Sequence, residues 1–208
     1  MKKLVFLSAV ILMSTMMAHA QIQKGNLMLG SDLGSGMVTP ASQGLFGANF
    51  NLNKGSGWNI GLAPKIGYFV ANNLLVGGVV DLGYGRVNSV GTTVWGIQAL
   101  GRYYISPNQY GIDNILKHGR FFIEANLGAG GYNISNGGNK TNGFVFGIGP
   151  AYSYFLTSNV ALEGLVKYNG LAGGGHPGYQ SSIGVNFGVQ VFLPSTKVRS
   201  MIKNPSQL

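Results

Sequence analysis

Along most of this chain every second residue is hydrophobic, with glycine, polar or charged residues between. From Trp58 to Val70, the side chains of Trp58, Ile60, Leu62, Pro64, Ile66, Tyr68 and Val70 share one face of an extended strand, and Asn59, Gly61, Ala63, Lys65, Gly67 and Phe69 share the other. The same split recurs over Leu74 to Tyr84, Trp95 to Ile105, Phe121 to Ala129, Phe144 to Leu156, Val160 to Tyr168 and Ile183 to Leu193. An opening strand from about Asn26 to Gly34 sets Leu27, Leu29 and Leu33 opposite Asp32. That makes eight strands, each reaching or approaching the roughly 9 to 11 residues that a tilted strand needs to cross a bilayer. A sheet with one face in hydrocarbon must close on itself, because an open edge would leave N–H and C=O groups unpaired, and single-chain bacterial barrels close on an even count. The expected fold is all-β: an eight-stranded antiparallel up-and-down transmembrane β-barrel.

The charges supply the sharpest test of which face points inward, beside the length of the apolar faces, the aromatics near their ends and the scarcity of charge. Of the five acidic residues, Asp32, Asp81, Glu124 and Glu163 fall on the non-oily face by parity, as do Lys65, Arg102 and Lys167. A soluble sandwich or lipocalin-like barrel would have the reverse, with oil inside and charge outside. The lumen of eight strands has room for side chains or at most one small ligand, so these seven residues are predicted to form a crosswise network that closes it.

An internal repeat orients the barrel. Gly61 to Val70 and Gly147 to Leu156 match in their Gly, Pro and Tyr-Phe positions, and Gly96 to Ile105 and Gly184 to Leu193 fit the same frame more loosely. Two of these strands run into very short asparagine-bearing turns, Ala71-Asn72-Asn73 and Thr157-Ser158-Asn159, and short turns lie on the periplasmic side of such barrels. Tyr68, Tyr103 and Tyr154 are then predicted in the periplasmic-side aromatic girdle, with rings in oil and hydroxyls in water. The longer connections, 35–57, 86–92, 133–142 and 171–180, face outward. Leu45 to Leu52 also alternates, but a ninth strand would turn the long loops inward, so it is read as an ordered arm of the first outer connection. The connection 106–119 is unusually long for its side and has the pattern of a short helical turn around Ile112 to Lys117.

Composition narrows the picture further. Only 9% of the 208 residues are charged, against 45% hydrophobic and 35 glycines, where a soluble domain carries about 25% charged residues. Residues 1–20 read as a secretory signal: Lys2 and Lys3, an apolar run from Leu4 to Met17, then Ala18-His19-Ala20. The mature barrel is expected over 21–193, followed by a basic periplasmic tail, 194–208. Without cysteine there is no disulfide and no lipidation site. The net charge of +9 does not mark a nucleic-acid protein, since the bases are scattered and Lys197, Arg199 and Lys203 crowd the last dozen residues.

Candidate chemistry is sparse. Lipid A acyltransferases and deacylases among small barrels need a histidine with a serine and a carboxylate in reach. The mature histidines are His118, between Lys117 and Arg120, and His176, in Gly173-Gly174-Gly175-His176-Pro177-Gly178 with no acid nearby. An enzyme would need His176 to meet Ser181 or Ser182 and an acid, and the reading is that the chain is not one. No metal-ligand spacing or phosphate loop is present, so no cofactor is expected. A binding or transport barrel for a small hydrophobic solute is the other alternative; it would need a lateral opening or a lumenal pocket, for which the small-residue face Gly128 to Gly131 is the candidate.

The signal's Ala18-His19-Ala20, the hairpin Pro64 to Leu74, its echo Pro150 to Val160, and the closing strand Gly184 to Leu193 together resemble the outer-membrane β-barrel-domain family, the small barrels that include OmpX and the membrane domain of OmpA. The resemblance covers nearly all of 21–193 and is architectural. It implies residence in the outer membrane among its lipids and lipopolysaccharide, and the barrel-assembly machinery as a partner during biogenesis. It names no reaction and no extracellular partner. Members often finish the last strand on an aromatic residue that this machinery reads. Here Phe192, followed by Leu193 and the basic tail, is the candidate assembly signal.

Overall fold

The computed structural model describes residues 22–34, 48–50, 57–87, 90–105, 119–135, 140–175 and 178–195. The strands are β1 (Leu27–Gly34), β2 (Ala48–Phe50), β3 (Gly57–Ala71), β4 (Leu74–Val87), β5 (Val90–Tyr104), β6 (Gly119–Ile134), β7 (Lys140–Phe155), β8 (Val160–Gly175) and β9 (Tyr179–Leu193). Each long strand pairs antiparallel with its sequence neighbours, and β1 closes the ring by pairing with both β3 and β9. Starting at Gly34 and stepping through the registers once round the wall leads back to the level of Lys24, a stagger of about ten residues, which inclines the strands roughly 40° to the barrel axis.

β2 leaves the count at eight. β1 faces β3 from Leu27 opposite Tyr68 to Asp32 opposite Ala63, so at that register residue 35 would face Ile60. Ala48 stands there instead, running in the same direction as β1. β1 and β2 therefore share one position in the wall, one above the other on the edge of β3, and of the alternating segment Leu45 to Leu52 the described residues Ala48–Phe50 are strand.

The strands outrun their sequence limits at one end only. β4 and β5 continue to Val87 and from Val90, β6 and β7 to Ile134 and from Lys140, and β8 and β9 to Gly175 and from Tyr179. Much of what reads as outer loop in 86–92, 133–142 and 171–180 is thus paired hairpin. Glycine, asparagine and threonine there break the oily alternation without breaking the ladder, because the backbone beyond the oil still needs partners. At the other end the limits agree closely with the sequence, since the turns are set by two or three residues. Asn73 takes φ 66°, donates its N–H to Ile22 O at 3.1 Å and accepts from Tyr104 N–H at 2.8 Å. Asparagine tolerates this left-handed conformation, which costs other side-chain-bearing residues about 1–2 kcal/mol. Asn73→Val should therefore lower the urea midpoint of unfolding, while Asn73→Gly leaves it nearly unchanged.

The two repeat prolines sit at equivalent interruptions. The β3–β4 ladder stops at Leu62 opposite Leu82 and resumes at Lys65 opposite Val79; the β7–β8 ladder stops at Ile148 opposite Tyr168 and resumes at Ala151 opposite Leu165. A proline has no N–H to give, so each ladder skips a step while the other neighbour, Ser31 for Pro64 and Ile123 for Pro150, stays in register. Close approach fixes two glycines: a Cβ on Gly128 would lie 2.1 Å from Ile97 O, and one on Gly149 1.9 Å from Val166 O.

Candidate functional site

The barrel is oil outside and charge inside. Leu62, Ile66, Val80, Leu82, Ile97, Leu127, Phe144, Ile148, Val166 and Ile183 point away from the axis, Ile97 66% and Ile183 75% exposed. Asp32, Lys65, Asp81, Arg102, Glu124, Glu163 and Lys167 are all buried within, Glu124 to 0%. Water would punish such a surface and hydrocarbon would accept it, while the ionised groups would be ruinous on the outer face. The chain has the fold of a small outer-membrane β-barrel.

Sequence comparison adds nothing at family level: no family model and no curated protein matches this chain. Among solved structures, the barrel is similar to Neisserial surface protein A, at 17% identity over 80% of this chain and 95% of that one, TM-score 0.49. It is also similar to the N-terminal β-barrel domain of Pseudomonas aeruginosa OprF, at 14% identity over 82% and 98%, TM-score 0.45. OprG of Pseudomonas aeruginosa follows at 11% identity over 82% and 97%, TM-score 0.42. These likenesses are distant, and the architecture stands on the strand pairing and the side chains themselves.

Inside the barrel, Glu124 on β6 is the hub. Lys65 Nζ donates to Glu124 Oε1 at 2.8 Å, Arg102 Nε to Oε2 at 2.7 Å, and Lys167 Nζ to Oε1 at 3.2 Å. Lys65 also pairs with Asp32, whose other oxygen accepts from Gln190 Nε2 at 2.9 Å. Arg102 reaches on to Glu163 at 2.9 Å, and Ser153 Oγ donates to Glu163 at 2.6 Å. Six of the seven charged residues thus form one connected set drawn from β1, β3, β5, β6 and β8. Asp81 is held instead by neutral neighbours: Gln98 donates to it, and Asn126 donates to Gln98. Glycine makes the room. A Cβ on Gly147 would stand 2.8 Å from Asn126 Oδ1 and 3.2 Å from the Lys167 stem, and one on Gly188 2.3 Å from Asp32 Oδ1.

Below the charges, at the end with the short turns, the lumen is not small and polar as the inner face reads in sequence. Phe69, Tyr104, Phe122, Phe155 and Phe192 pack there with Met28, Leu75, Leu100 and Ile22. Their rings lie 4.9 Å (Tyr104–Phe122), 5.4 Å (Phe155–Phe192) and 5.7 Å (Phe69–Tyr104) apart. The repeat's Tyr-Phe pair explains the layer: adjacent residues point to opposite faces, so Tyr68 and Tyr154 turn outward while Phe69 and Phe155 turn in. Tyr103 likewise faces out and Tyr104 in, leaving Tyr68, Tyr103 and Tyr154 each about half exposed in an outer band at this end. The Arg102 guanidinium joins the tiers, its carbon 4.7 Å from the centre of the Phe122 ring and its Nη1 donating to Met28 Sδ at 3.2 Å. A smaller apolar group, Tyr132, Val145 and Leu171, fills the lumen toward the long-loop end.

Phe192, the candidate assembly signal, is fully buried in the lower tier rather than turned to lipid. Gly128 and Gly131 lie in β6 where it is paired on both sides, so the small-residue face is a seam of close strands and not an opening. His118, His176, the connection 106–118, the signal 1–20 and the tail from 196 onward lie outside the described residues. Gln98, Asn126, Ser153 and Gln190 are the contributors that reasoning from charge alone passes over. The signal for them was parity: each sits an even number of residues from a buried charge on its own or the facing strand.

Proposed function

We propose that this is an outer-membrane protein whose lumen is sealed by its own side chains and whose role is structural or surface-interacting. It presents its long-loop end to the exterior and adds to envelope integrity. The observation that carries this reading is the Glu124 hub, which draws cations from three strands across the lumen above a floor of aromatic rings. An ion crossing it would have to break buried charge-assisted bonds and part the rings, each step costing several kcal/mol. The short-turn end then faces the periplasm, with Ile22 and Phe192 at its floor, and the surrounding lipids include lipopolysaccharide on the outer side.

Two measurements test it. Cell fractionation with heat-modifiable gel mobility should place a folded barrel in the outer membrane. Planar-bilayer recording of the refolded chain should give little current, and a stable open conductance would reject the sealed lumen.

A further inference from the structure

Above the oil, the outer face of β4 to β7 changes character row by row toward the long-loop end. Val80, Ile97, Ala129 and Phe144 lie side by side in the apolar belt. One row higher, Leu82 neighbours Trp95, whose Nε1 donates to Asn142 Oδ1 at 3.0 Å. The next row is polar: Tyr84, Thr93, Asn133 and Lys140, successive partners across four strands. The uppermost holds Arg86 opposite Gly91, which is tied to Ser135 by Ser135 N–H to Gly91 O at 2.8 Å and Gly91 N–H to Ser135 Oγ at 2.7 Å.

Tyr84, Thr93 and Asn133 of the one row and Arg86, Gly91 and Ser135 of the other line a largely open cavity of about 360 Å³ on the outer side of the wall. Gly91 forms its floor: a Cβ there would come 3.1 Å from the Tyr84 hydroxyl and 3.4 Å from Ser135 Oγ. Arg86 lines the cavity, and Lys140 stands just outside it as the strand partner of the lining Asn133, both exposed. The four carboxylates of the described residues all lie in the lumen, so neither cation has an acid among those residues to pair with.

We propose that this rim cavity binds a phosphate group on the headgroup of a membrane lipid, with Arg86 and Lys140 supplying the charge and Thr93 and Ser135 the neutral contacts. The placement commits the occupant. A side-facing cavity one row above an interfacial tryptophan sits at headgroup depth, where it meets lipid and not a soluble ligand approaching along the axis. A cation near an anionic membrane surface gains about 1 kcal/mol, and a guanidinium can grip two phosphate oxygens at once. The inference rests on the outer-membrane reading and names one of its lipid contacts.

The test uses the refolded full chain in phosphatidylcholine vesicles doped with lipid A or with dephosphorylated lipid A, with retained lipid per barrel read by mass spectrometry after mild extraction. The expected result is about tenfold preference for the phosphorylated lipid, lost in the Arg86→Gln, Lys140→Gln double variant, weakened in Gly91→Val, and kept in Arg86→Lys. Equal retention of both lipids, or an unchanged preference in the double variant, overturns the site. Displacement by inorganic phosphate at equal affinity also overturns it, because a free anion would then suffice. Gel mobility in the same vesicles separates the two readings: a chain that fails to insert refutes the membrane assignment, and one that inserts without lipid preference refutes only the cavity.

Discussion

Glu124→Gln is expected to destabilise the folded barrel by about 3–5 kcal/mol, the cost of breaking a buried ion pair by removing one partner. The substitution keeps the shape and removes the charge that faces Lys65, Arg102 and Lys167 together. Asp32 still faces Lys65 and Glu163 still faces Arg102, but Lys167 loses the ion pair that holds it. Urea titration of the protein in vesicles, read by gel mobility, measures the shift. Adding Lys167→Met to the glutamine variant should recover part of the loss, because it deletes an uncompensated cation and leaves an apolar stem in its place. A shift below about 1 kcal/mol in the single variant would mean that water already screens the lumen, and the sealed reading would go with it.

The second large effect lies on the other side of the wall. Ile97→Arg should cost about 2–4 kcal/mol, the penalty for a guanidinium on the lipid face near mid-bilayer. Thr93→Arg, four residues higher on the same face of β5, should cost about 0–1 kcal/mol because it sits near the interface. The contrast between the two is the measurement that matters. In a water-soluble barrel both sites would be exposed surface, both substitutions would be near neutral, and equal midpoints would overturn the membrane assignment.

What could be seen in the sequence was whatever obeys a period of two. The wall, its closure on an even count, the inward direction of the seven lumen charges and the two tight turns follow from alternation and from residues such as Asn73, whose conformation few others adopt cheaply. The upper limits of the hairpins did not, since Thr92, Gly131 and Gly173 carry no oil to keep the rhythm although their backbones remain paired. The aromatic floor was hidden for a different reason. Phe69 and Phe122 fall on the inner parity, and a reading that takes the inner face as polar discounts them. Yet near one end of a narrow cylinder, inward rings from five strands converge within reach of one another. The role of β2 was legible only from register, because its three residues alternate like any strand and the sequence holds no mark of which neighbour they meet.

Closure joins residues from the two ends of the chain. Gln190 bonds Asp32 across 158 positions, and the N–H of Ser195 reaches the side chain of Asn26. The first strand to leave the ribosome therefore cannot complete its pairing until the last has emerged, and every intermediate carries two raw edges. Such a chain must be kept apart from its own kind throughout its journey, and shortening it by one strand yields not a smaller cylinder but an open sheet prone to clump.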